Sequence, residues 1–345
     1  MMKRNPIVCA CLLLGLIVSA CSGQVTPSSM PEEPPAETGP VLTTTLAQLD
    51  PTAAAEATAE PSPTASVEPE DQTLESTPTL QPTTMVSFDG FLLGEVGFST
   101  PESVLYDPDA DLYLVANING GPSNQDGNGF ISQVSPSGEI IELKWIDGNT
   151  EGVTLNAPKG MVLTAAGLYV ADIDHVRLFD RVTGESIASF PVNGATFLND
   201  LSADQAGLVY VSDSGAGGIY EISPDGQVRD VVPSGGLQGP NGLAVWDEKL
   251  YVTSGTGIHL VEQGNLTQVF SVPQGSLDGL VFLDNDQVLV SSWQASAVFL
   301  AGRDGSAIEV VNEVPAPADI GFDPTRGYIL IPQFNDDQLD VRPLP

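Results

Sequence analysis

The chain has 345 residues, 45 of them acidic against 11 Lys and Arg, and a formal net charge of −34. A surface of that sign repels phosphate backbones and anionic lipid heads and attracts divalent cations, which argues against a nucleic-acid partner. No Gly-rich loop ending in Lys-Ser or Lys-Thr and no Gly-x-Ser-x-Gly elbow occurs, which removes the usual signatures of nucleotide-phosphate and α/β-hydrolase chemistry.

Residues 1–20 carry Lys3 and Arg4, an apolar run from Ile7 to Val18 that is too short to span a bilayer, and small residues up to Ala20. Val18-Ser19-Ala20-Cys21 resembles the lipobox of bacterial lipoproteins, which implies cleavage before Cys21 and lipidation of its sulfur. A plain secretory signal cut near Ala20, or an uncleaved anchor, is the competing reading. The expected product is an extracytoplasmic protein, held on the cell membrane or outer membrane of a bacterium by lipid on Cys21. Two or three acyl chains, at roughly 0.8 kcal/mol per buried methylene, anchor durably where one does not. Cys9 and Cys11 leave with the signal, so neither a disulfide nor a cysteine-ligated metal is expected.

Residues 21–85 form a linker of Pro, Thr, Ser, Ala and Glu without Lys or Arg and without apolar periodicity. Such a segment buries too little apolar surface to offset its ordering entropy, and it reads as a disordered spacer or a glycosylated stalk.

Residues 86–345 change to short runs of Val, Ile, Leu, Tyr and Phe separated by Gly, Asp, Asn and Pro, an all-β pattern. One phrase recurs six times: a polar residue, an apolar strand, a turn, and a second strand close to Leu-Tyr-Val, as in Pro240-Asn241-Gly242-Leu243-Ala244 followed by Leu250-Tyr251-Val252. A spacing of about 40 residues matches a four-stranded blade and predicts a six-bladed β-propeller. The sixth copy has room for only three strands. The strand-like segment from Phe88 to Phe98 is therefore expected to supply the fourth and close the ring.

The innermost strands line the channel, so the leading polar residues form a ring: Glu102, Lys159, Asn199, Asn241, Asp278 and Asp319. Crowded oxygens on one axis need neutralising, and carboxylates with amide oxygens suit a hard cation such as calcium. His175 and His259 fall in apolar-alternating strands outside the ring and read as structural, which leaves no Ser-His-Asp arrangement. Trp145, Trp246 and Trp293 are dispersed over three repeats and read as packing residues.

At these positions the chain resembles the gluconolactonase and regucalcin (senescence marker protein) family of six-bladed propellers. The resemblance implies a divalent metal, calcium-like, held by Glu102, Asn199, Asn241 and Asp278. It also implies hydrolysis of a lactone or related ester with Asp278 as the proton acceptor. Of the ring residues, Asn199, Lys159 and Asp319 are expected to face substrate. Two departures stand out: Glu102 is followed by Ser103-Val104-Leu105 where the family has Gly-Pro-x-Trp, and Phe197 replaces an Arg that serves the substrate. Lys159 is a third, because an ammonium between Glu102 and Asp278 would replace the metal. Two rivals therefore remain. One is a non-catalytic, surface-displayed propeller of the NHL-repeat type that binds a protein or glycan; the other is a lyase resembling virginiamycin B lyase, for which the ring lacks a histidine.

Overall fold

The computed structural model describes residues 89–345 except residue 284; the signal segment, Cys21 and the linker lie outside the described residues. All regular structure among the described residues is β: six antiparallel four-stranded sheets. The inner strands of blades one to six are Pro101–Asp107, Pro158–Thr164, Leu198–Ala203, Leu243–Trp246, Leu277–Phe282 and Gly321–Asp323. Each sheet of the first five blades follows sequence order from the channel outward. Blade six has three strands from the C-terminal end of the chain and takes its outermost from Phe91–Leu93, which pairs antiparallel with Gln338–Pro343. The closing strand predicted from the short sixth repeat is thus in place, with Phe91 opposite Val341.

The Leu-Tyr-Val phrase has a simple cause. A second strand has a neighbouring blade on each face, so both sets of its alternating side chains must be apolar. In blade one Tyr113 and Val115 pack toward blade six, while Leu114 and Ala116 pack toward blade two. In blade two Leu168 and Val170 face back to blade one, and Tyr169 and Ala171 face blade three. Six such apolar clusters fill the six blade interfaces, and together they form the core.

The inner strands are irregular at the channel. In blade three Leu198 pairs with Asp213 and Leu201 with Val211, so Asn199 and Asp200 together oppose Ser212 alone. The same two-against-one arrangement occurs at Lys159-Gly160 and at Asp278-Gly279, and Glu102 is the extra residue in blade one. These are β-bulges, which re-aim side chains and terminate regular pairing.

Hydroxyls on second strands stitch one bulge to the next blade. Ser212 Oγ accepts from the Asp200 amide and donates to Asn241 O in blade four at 2.7 Å. Ser291 Oγ accepts from the Gly279 amide and donates to Ala318 O in blade six, also at 2.7 Å. Ala318 therefore holds the place in blade six that Asn241 holds in blade four. The backbone agrees: the Gly242 amide bonds Asp278 O of the next blade, and the Asp319 amide bonds Glu102 O of the next blade.

Candidate functional site at the channel mouth

The first ring is therefore Glu102, Lys159, Asn199, Asn241, Asp278 and Ala318, and the expected Asp319 is displaced from it by one residue. The first five line a single cavity of about 500 Å³, and Asp319 does not. The ring residue in blade six is apolar, so the polar pattern of Ala318-Asp319 points one residue too far along the strand. Asp319 belongs to a second layer beneath, made of Ser103, Gly160, Asp200, Gly242, Gly279 and Asp319.

Three glycines give that layer room for its two carboxyls. A Cβ on Gly160 would sit 2.6 Å from Asp200 Cα, and one on Gly279 would sit 2.8 Å from Asp319 Cα and 2.7 Å from its carboxyl oxygen. Asp319 accepts from Ser103 Oγ at 2.6 Å, and this bond and the Asp200 side chain lower its pKa against the rise from burial. Asp200 also accepts from the amides of Leu201 and Leu243, both at 2.6 Å.

Loops ahead of the inner strands are held by polar residues that close the second strands. Asp172 accepts from the amides of Asn156 and Ala157, and Asp213 from those of Thr196 and Phe197. These two anchors place Ala157 O and the Phe197 ring around Lys159. Lys159 Nζ donates to Ala157 O at 3.0 Å and lies 4.5 Å from the Phe197 ring centroid. It forms no ion pair with Glu102 or Asp278 within 4.0 Å, so it does not stand in for a cation between them.

The opposite wall comes from loops between second and third strands. Trp293 Nε1 donates to Asp278 Oδ2 at 2.7 Å, and Phe334 packs on Trp293 at 5.1 Å between centroids. Ser214 Oγ accepts from Asn199 Nδ2 at 2.9 Å and donates to Pro240 O at 2.6 Å. Ile118 and Pro122, from the Gly- and Asn-rich insertion of blade one, complete the wall. Trp293, read from sequence as a packing residue, holds the Asp278 carboxyl; it directly follows the second strand of blade five, the place that Ser214 and Phe334 hold in blades three and six. His175 bonds Asp174 at 2.7 Å, and neither it nor His259 lines the cavity.

Three buried oxygens at the floor have no hydrogen-bond partner: Glu102 Oε2, Asn241 Oδ1 and Asp278 Oδ1. Buried acceptors in native proteins are almost always satisfied, so three at one site indicate a missing partner. All three are acceptors, which a cation satisfies together. Among the described residues no three His, Cys, Asp or Glu side chains group as a metal site; the donor set here is two carboxylates with amide oxygens.

Burial governs the electrostatics of these groups. Burial pushes the Glu102 carboxyl well above the usual carboxylate range, with Asp278 and Asp319 adding to the rise and Lys159 opposing it. Burial, then the charge of Asp319, moves Asp278 up to about 8, against the lowering bonds from Trp293 and Asn241. Asp319 moves up to about 7, and Asp200 well above its ordinary value, again chiefly by burial. Burial also lowers Lys159, against Glu102 and Asp172.

No protein-family model and no curated protein matches the chain in sequence. Solved structures do match in shape. A gluconolactonase from Xanthomonas campestris superposes with a TM-score of 0.57 at 18% identity, over 74% of this chain and 90% of the other. The likeness is one of fold. A streptogramin B lyase matches with a TM-score of 0.54 at 12% identity, over 73% of this chain and 97% of the other. Virginiamycin B lyase from Staphylococcus aureus matches at 0.52 and 13%, over 73% and 98%. The gluconolactonase and the two lyases are thus similar to this chain in fold.

Proposed function

We propose that the channel mouth is the active site of a divalent-metal-dependent hydrolase of lactones or related esters, with calcium as the fitting ion. The three unpartnered oxygens of Glu102, Asn241 and Asp278 carry this reading. Those residues, with Asn199, would hold the ion, and a bound divalent cation polarises a carbonyl or a water. Asp278 would be the proton acceptor, as the carboxyl that Trp293 holds in place through Oδ2 at the cavity. In the reaction Asp278 takes a proton from water, the water oxygen bonds to the acyl carbon, and the acyl C–O bond breaks. Asp278 passes that proton to the departing alkoxide and is restored, so water and lactone give one hydroxy acid. A carboxyl near 8 is largely protonated at neutral pH, and a neighbouring cation lowers it into the range where it serves as a base.

The sequence of residues 18–21 supports placing this activity outside the cytoplasm on a lipid anchor at Cys21. A screen of lactones and aryl esters, with calcium and with chelator, tests the reading. Turnover that chelator abolishes, calcium restores and Asp278→Asn reduces at least about 100-fold is expected. Turnover indifferent to chelator, or unchanged in Asp278→Asn, contradicts it, and absence of turnover throughout favours a binding propeller.

A further inference from the structure

Several polar groups on the cavity walls are already engaged. Ser214 Oγ accepts from Asn199 and donates to Pro240 O, Trp293 Nε1 donates to Asp278, and Asn199 Nδ2 donates to Ser214. Ser276, at the rim, is exposed to solvent. What remains of the wall is the rings of Phe197, Trp293 and Phe334 with Ile118, Pro122 and Leu277. Ile118 and Phe334 belong to an apolar cluster with Ala157 and Ile173 at this end of the channel, so the apolar lining is backed by apolar packing. Among the described residues lining the cavity Lys159 is the one cation, and its ammonium has three N–H donors of which Ala157 O takes one.

We propose that the substrate is a compact lactone or ester with an apolar aliphatic or aromatic body and few or no hydroxyl groups, oriented with its acyl oxygen toward Lys159. The proposal rests on the hydrolase reading, in which the floor oxygens of Glu102, Asn241 and Asp278 belong to a cation and are closed to substrate hydroxyls. Beyond the two remaining Lys159 donors and the Ser276 hydroxyl at the rim, the walls offer a polyhydroxylated ring few partners, and each buried unpaired group opposes binding. An apolar body instead gains burial against three aromatic faces. The cavity of about 500 Å³ suits a small molecule.

The test uses the calcium-loaded protein and two kinds of probe. Non-hydrolysable lactams, one pentyl-substituted and one polyhydroxylated, report binding by calorimetry; δ-nonalactone, dihydrocoumarin and glucono-δ-lactone report turnover. The pentyl lactam is expected to bind at least about 100-fold tighter than the hydroxylated one, and apolar lactones to show a similar advantage in kcat/KM. Phe334→Ala is expected to weaken the pentyl lactam about tenfold, and Lys159→Met to lower kcat/KM while calcium stoichiometry is unchanged. Preference for the hydroxylated probes, or failure of both lactams to bind, overturns the substrate class. Apolar lactam binding without turnover supports the apolar site and removes the hydrolase reading, whereas turnover that prefers glucono-δ-lactone does the reverse.

Discussion

At the scale of single residues, Asp278 and Lys159 decide the chemistry. Trp293 holds Asp278 by a bond that lowers its pKa, so Trp293→Phe is expected to move the alkaline-rising limb of the pH–rate profile to higher pH. A merely structural role for Trp293 would reduce the rate at every pH and leave the limb in place. Lys159 repels a cation at the floor, so Lys159→Met is expected to tighten calcium binding several-fold, read by titration calorimetry. Weaker calcium binding in that variant would mean that the lysine organises the floor rather than the substrate end. The sequence was informative here to the extent that residues recur: five of the six first-ring residues follow from aligned repeats. Ala318 escaped because it is apolar where its equivalents are polar, and Asp200 escaped because its neighbour Asn199 took the marker position. Ser214, Trp293 and Phe334 each directly follow the second strand of their blade, four residues before the third begins, but a serine, a tryptophan and a phenylalanine share no chemistry that would mark the position as repeated.

At the scale of the element, the bulged inner strand is what builds the site. Two residues opposing one turn Glu102, Lys159, Asn199 and Asp278 into the channel and put small residues or carboxyls in the layer below. The second layer tolerates no added bulk at Gly279, where a Cβ would meet the backbone of Asp319 and Ile320. Gly279→Ala is expected to destabilise the propeller by about 1–3 kcal/mol in denaturant unfolding. An unchanged midpoint would show that the layer has slack. The Leu-Tyr-Val strands were legible in sequence because burial on both faces leaves an uninterrupted apolar run. The bulges were not, since a single extra residue alters no composition.

At the scale of the whole molecule, a strongly acidic protein concentrates Glu102, Asp200, Asp278 and Asp319 on one buried axis. Carboxyls whose pKa is raised on folding bind more protons in the native state than in the unfolded one. Without metal, their contribution is therefore complete below the unfolded value near 3.8 and is lost as pH rises toward the folded value of about 8 for Asp278. Thermal unfolding in chelator is expected to show a melting temperature that falls between about pH 5 and pH 8, with calcium flattening the slope. Six repeats were enough to predict ring closure, down to the N-terminal strand that completes blade six, because a free edge is the one feature that this architecture must avoid. What most directly tests the account is calcium titration calorimetry at pH 7.5 on the chelator-treated protein and on its Glu102→Gln and Asp278→Asn variants. One calcium bound per chain, with affinity lost at least about tenfold in each variant, is the predicted result. No binding heat, or equal affinity in all three proteins, would contradict a cation site at the channel mouth.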